Sequence, residues 1–161
     1  MRELSGQLKT LFEGAGPLVE RLRAESPFIS GAAMVARARQ ILAELGEAEQ
    51  IAVINAHPRI GEPAEQVRAK SAHAFREQGY DGEADHTPRE VFRELARLNE
   101  AYERKFGFRF VVFVNRRPKA ELVPVLEDRL TRSRAEELKT ALADIVAIAE
   151  DRLRRPPPPL D

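Results

Sequence analysis

The stretch SRAEELKTALADIVAIAEDRLR, residues 133–154, decides the fold class. It opens on Ser133 with Glu136 three residues on, the pattern in which a hydroxyl and a carboxylate cap a helix start reciprocally. Leu138, Leu142, Ile145, Val146, Ala149 and Leu153 then recur at three- and four-residue steps. That period lays one apolar stripe along a long helix. The prolines that follow, Pro156 to Pro159, end all helix, and residues 156–161 read as a frayed, Pro-rich disordered tail.

Working upstream, the same period returns. Met34, Ala38, Ile41, Leu42 and Leu45 share a face, with Gly46 as a stop. Ala48 to Val53 start a further helix that runs towards His57-Pro58, and a residue before proline is biased out of the helical region. Alanines and long polar side chains between Pro63 and Gln78 favour helix. Gly79, Asp81 and Gly82 mark a turn, and Thr87-Pro-Arg-Glu90 reads as a second capping box. Phe92, Leu95, Leu98 or Asn99, Tyr102 and Phe106 line the helix it opens, and Gly107 stops it. Lys119 to Leu130 is again helical. Phe110-Val-Val-Phe-Val114 is the one β-like run, and with no second strand to pair with it reads as buried extended chain or a helical turn. The expectation is an all-α, single-domain bundle of six to eight helices over residues 1–155.

Composition narrows the function. The 161 residues carry 26 Lys plus Arg against 26 Asp plus Glu, so there is no basic excess of the kind nucleic acids or anionic membranes select. Cysteine is absent, which removes disulfides, thiolate metal sites and thiol nucleophiles. No apolar run is long enough for a membrane span, and the first residues lack the apolar core of a signal peptide. A cytoplasmic protein is expected. Three histidines without HExxH or HxH spacing predict no metal site, and neither a phosphate-binding glycine loop nor a G-x-S-x-G elbow occurs.

Among the histidines, His73 and His86 lie in polar surroundings and read as surface residues. His57 stands at a helix end, stiffened by Pro58 and followed by Gly61 and Pro63. Two readings are open: a capping or half-buried structural imidazole, and an acid or base facing a cleft. Glu77-Gln78 is either a solvated helix end or a carboxylate and amide placed to orient a base and read a substrate amide. The Arg116-Arg117-Lys119 and Arg152-Arg154-Arg155 clusters read most simply as solvated faces.

Taken in order, several segments resemble one family. They are Leu11-Phe-Glu-Gly-Ala-Gly-Pro17, Asn55-Ala-His-Pro-Arg-Ile-Gly61, Arg76-Glu-Gln78, Leu98-Asn-Glu-Ala-Tyr102 and Lys105-Phe-Gly-Phe-Arg-Phe-Val-Val112. Together they resemble 2-oxo-4-hydroxy-4-carboxy-5-ureidoimidazoline (OHCU) decarboxylase of urate breakdown, from about residue 5 to 155. The resemblance implies an all-α fold, usually a homodimer, no cofactor, and conversion of OHCU to S-allantoin in purine catabolism. It implies His57 as the catalytic acid or base and Glu77 beside it. It implies Pro58, Ala74, Gln78, Val111, Val112, Asn115 and Arg116 as substrate-binding positions. Three positions depart from the family pattern: Ala74 replaces a serine, Arg109 a proline, and Asn115 a cation. The cation for the substrate carboxylate is therefore expected from Arg116, Arg109 or Arg59. Two rival readings are a diverged relative acting on another heterocyclic acid and a non-catalytic helical interaction module. The pair His57 and Glu77 separates them, since a binding module needs no such pair.

Overall fold

The computed structural model describes residues 2–14, 16–81 and 87–155, with side chains from residue 7 onward. The helices in order are α1 (Arg2–Leu11), α2 (Pro17–Glu25), α3 (Gly31–Glu44), α4 (Glu47–Asn55), α5 (Ala64–Lys70), α6 (Ala72–Glu77), α7 (Arg89–Phe106), α8 (Lys119–Arg129) and α9 (Arg134–Arg154). No strand occurs among the described residues. The all-α expectation holds, with nine helices among the described residues rather than six to eight. One reason is that the Pro63–Gln78 stretch is two helices. Ser71 leaves helical geometry at φ −160°, ends α5, and accepts the Ala74 N–H to cap α6.

The long capped helix α9 runs through the middle and packs on α1, α3 and α4. Its Ser133–Glu136 capping box is formed in both directions. The other expected box is not: α7 begins at Arg89 with Pro88 at its N-cap, so Thr87 lies outside the first turn. Gly107, at φ 83°, closes α7 in the left-handed conformation that glycine adopts without a Cβ clash. Gly46 does not end α3. Leu45 does, and Gly46 precedes α4. His86 and the tail from Pro156 lie outside the described residues.

Residues 109–114 form neither helix nor strand, and Phe110, Val111, Val112 and Val114 are buried in the core. A buried segment without a neighbouring strand must satisfy its backbone elsewhere. Side chains do it here. The Phe113 N–H donates to Asp144 (3.0 Å), Arg129 Nη1 donates to the Val111 carbonyl (2.8 Å), and Arg117 Nε donates to the Val114 carbonyl (3.0 Å).

Arg129 also bonds Glu137 at 2.7 Å, and Glu137 accepts from Tyr102 Oη at 2.6 Å and from Arg132 at 3.0 Å. Glu137 is wholly buried. Burial, with this hydrogen bond, holds the Tyr102 hydroxyl protonated far above its usual range. Removing one partner of a buried pair strands a charge, at a cost of about 3–5 kcal/mol. Arg129→Met is therefore expected to lose that much in urea unfolding while keeping a helical spectrum. A loss below about 1 kcal/mol, the range of an exposed pair, would contradict this assignment.

Candidate active site

α4 ends at Asn55, and its last turn delivers His57 into the interior, where it is 4% exposed. Nδ1 lies 3.1 Å from the Val53 carbonyl. A carbonyl only accepts, so Nδ1 carries the hydrogen and Nε2 of the neutral ring is left with a lone pair. Nε2 is buried and has no hydrogen-bond partner. Burial, and secondarily the Arg152 charge, push the His57 pKa down to about 3. At neutral pH this imidazole is an uncharged acceptor with nothing of the protein to accept from.

The turn that follows is held from several sides. Gln78 Oε1 accepts the Gly61 N–H (2.9 Å), and Gln78 Nε2 donates to the Arg59 carbonyl (3.1 Å). Asn99 donates to the Ile60 carbonyl (2.8 Å), Tyr80 Oη to the Glu62 carbonyl (2.6 Å), and the Arg59 N–H to Glu62 (2.9 Å). Gly61 sits at φ 85°, where a Cβ would also come within 3.2 Å of Leu95. Gln78 therefore fixes the loop that carries His57, and its amide is largely committed to that task.

His57, Pro58, Ala74, Glu77, Gln78, Val111 and Val112 line one cavity of about 30 Å³, together with Arg152. That is room for about one water. Glu77, Gln78, Val112, Val114 and Ile148 also line an adjoining open cleft of about 950 Å³, which takes in Asn115 and Arg116. The cleft is in the size range of ligand sites. The small cavity is its inner recess.

Glu77 does not orient the imidazole. Both its oxygens are held by Arg152, at 2.8 Å from Nε and 2.7 Å from Nη2. Arg152 Nη1 donates to the Thr10 carbonyl (2.7 Å) and to Glu13, which in turn accepts from Ser71 Oγ (2.9 Å). Burial raises the Glu13 pKa, while the paired carboxylates hold the Arg152 guanidinium charged. Ser71 is thus occupied by Glu13 and the α6 cap, and does not stand in for the hydroxyl missing at Ala74.

Several sequence readings are overturned here. Arg152 is 3% exposed, not part of a solvated face, because at its position on α9 the apolar stripe continues. His73 is 7% exposed, and burial lowers its pKa to about 4. Of the three expected cations, Arg59 points away to Glu103 (2.6 Å), and Arg109 is spent on the carbonyls of Asn55 (2.9 Å) and His57 (3.1 Å). Arg116 alone of the three lines the cleft. The Lys119 of the same cluster is buried, donating to the Gln78 carbonyl at 2.5 Å. Among the described residues no group of His, Asp or Glu is placed to hold a metal ion.

Residues 2–154 match the family model described as OHCU decarboxylase. The chain belongs to the OHCU decarboxylase family. Among its relatives is the 2-oxo-4-hydroxy-4-carboxy-5-ureidoimidazoline decarboxylase of Haloferax volcanii, 31% identical over 89% of this chain and 82% of that protein. Another is the uric acid degradation bifunctional protein PucL of Bacillus subtilis (strain 168), 31% identical over 93% of this chain and 29% of that larger protein. A crystal structure of an OHCU decarboxylase in the presence of (S)-allantoin superposes with a TM-score of 0.71 at 23% identity, covering 92% of this chain and 94% of the other. The family's fold is therefore this fold. The recess and cleft are lined from the stretch His57 to Ala120, which carried most of the sequence resemblance, and from the second half of α9, Ile148 and Arg152 among its residues.

Proposed function

We propose that this chain decarboxylates OHCU to (S)-allantoin without a cofactor, with His57 as the group that moves the proton. The observation that carries the reading is the buried, unpartnered His57 Nε2 in the recess of a cleft large enough for a heterocycle.

The chemistry needs little else. When the bond to the carboxylate breaks, CO2 leaves, the electron pair moves into the adjacent ring imine, and the imine nitrogen takes up a proton from solvent. The resulting ene-type species becomes allantoin when its hydroxyl proton is lost and a proton is delivered to the neighbouring carbon. A neutral imidazole acceptor takes the first proton and, once charged, is a strong donor for the second, because its surroundings disfavour the charge. A fixed ring delivers to one face, which gives one enantiomer. Val111 and Val112 line the recess and keep water out, which favours release of neutral CO2. Pro58 stiffens the approach to His57, and Ala74 leaves room where a larger side chain would fill the recess. Asn115 at the cleft offers an amide to the ureido group. Glu77 serves by holding Arg152 at the recess wall, and Gln78 by holding the His57 loop.

A homodimer and a cytoplasmic location belong to the same reading. Light scattering at about twice 18.1 kDa would support the dimer. For the reaction itself, freshly prepared OHCU is mixed with the protein and CO2 release followed. Release well above the spontaneous rate supports the assignment, and an unchanged rate defeats it.

A further inference from the structure

Asn115 and Arg116 both have positive φ, 49° and 63°. The Arg117 N–H closes back on the Val114 carbonyl at 3.1 Å. Two central residues at positive φ with that bond make a type I′ turn, whose preferred sequence is Asn-Gly. Asparagine tolerates the left-handed region, but an arginine there is strained relative to a relaxed backbone. The fold alone favours glycine at position 116.

Nothing in the fold compensates this arginine. Arg116 is exposed and makes no hydrogen bond or ion pair among the described residues. The other cations of the cleft are engaged: Arg117 with the Val114 and Phe113 carbonyls, Lys119 with the Gln78 carbonyl, Arg155 with Asp151 at 3.2 Å, and Arg76, which is not free either. The recess offers an incoming anion no net positive charge, since one guanidinium, Arg152, faces the two carboxylates Glu13 and Glu77 and His57 is neutral. A carboxylate entering the cleft needs a counter-charge.

We infer that Arg116 is the substrate-recognition residue of this cleft, kept in a strained turn because that turn holds its free guanidinium over the mouth as the receptor for the substrate's carboxylate. The inference rests on the OHCU reading for the identity of the substrate, and on the turn and charge alone for the class of ligand. A surface cation that draws in the carboxylate stabilises the ground state and gives up part of that as the charge moves into the ring, so its loss raises KM and does not lower kcat. Its contribution is also screened by salt.

Three variants test it: Arg116→Gly, Arg116→Asn and Arg116→Lys. The glycine variant is expected to melt above the unmodified protein. At low ionic strength the glycine and asparagine variants raise KM for OHCU about 5- to 30-fold with kcat not lowered, while the lysine variant stays within about 3-fold. The KM of the unmodified protein rises with added salt, and that of Arg116→Asn does not. An unchanged KM in the glycine and asparagine variants overturns the inference, as does a glycine variant that melts lower. Binding of allantoate, an anion, and allantoin, which is neutral, separates this from failure of the OHCU reading. Even if OHCU is not turned over, the unmodified protein is expected to bind allantoate more tightly than Arg116→Asn does, with allantoin unaffected. Equal binding of allantoate by the two proteins, or none by either, overturns it.

Discussion

His57→Asn is expected to lower kcat by about 10²- to 10⁴-fold, the usual worth of a positioned acid–base group. The fold should survive, because an asparagine amide can still donate towards the Val53 carbonyl that now accepts from Nδ1. The same variant changes the response to acid. The His57 pKa is pushed down to about 3 in the folded protein from 6.5. The unfolded chain therefore takes up a proton there before the folded one does. Stability from this residue is full above about pH 6.5 and is lost progressively as the pH falls towards 3, by about 5 kcal/mol at most. His73, lowered to about 4, adds to the same trend. Urea unfolding at pH 7.5 and 5 should show a smaller acid loss in His57→Asn than in the unmodified protein. An equal loss would mean that His57 is not held neutral by burial.

Arg152→Met is expected to be the most damaging single change. The guanidinium neutralises Glu13 and Glu77 and caps the Thr10 carbonyl, so one substitution strands two largely buried carboxylates. About 3–5 kcal/mol of stability should go. Without Arg152 to lower it, burial would hold the Glu13 pKa higher still. A group of that kind stabilises the fold below its unfolded pKa and is lost as the pH rises, so the variant should be less handicapped at pH 5 than at pH 8. The triple variant with Glu13→Gln and Glu77→Gln removes the stranded charges and should regain much of the stability. It should not regain activity, because the wall of the recess opposite His57 is then reshaped. Full activity in the triple variant would show that the clamp is scaffolding only.

α3, α4, α7, α8 and α9 were legible in the sequence because they carry their own period or end signals, whereas α1 and α2 were not read. Ser133 with Glu136, Gly107 and the apolar stripe of α9 are local chemistry, and local chemistry decided them. The failures were of the opposite kind. Thr87 was read as the cap of α7, but the helix begins one residue later, with Pro88 at its N-cap. Ser71 broke a stretch of good helix formers because its hydroxyl caps α6 and reaches Glu13, a partner 58 residues away.

The site divides in the same way. His57 was marked by its own neighbours, the helix end and Pro58. Arg152 was not, although its spacing from Ile145 and Ala149 put it on the buried stripe. A charged residue on an apolar stripe is the signal that it has a buried partner, but the partners Glu13 and Glu77 come from α6 and from beyond α1, and no local rule connects them. The expectation that Gln78 reads substrate missed a nearer demand, since the Arg59 carbonyl and the Gly61 N–H claim its amide first.

The most direct test is the circular dichroism of allantoin formed from freshly made OHCU. Spontaneous decay has no chiral environment and gives a racemate, with no signal. The account predicts that the unmodified protein builds the signal of the (S)-enantiomer, and that His57→Asn at equal concentration leaves only racemic product. A racemic product with the unmodified protein, or an undiminished chiral signal with His57→Asn, would contradict it.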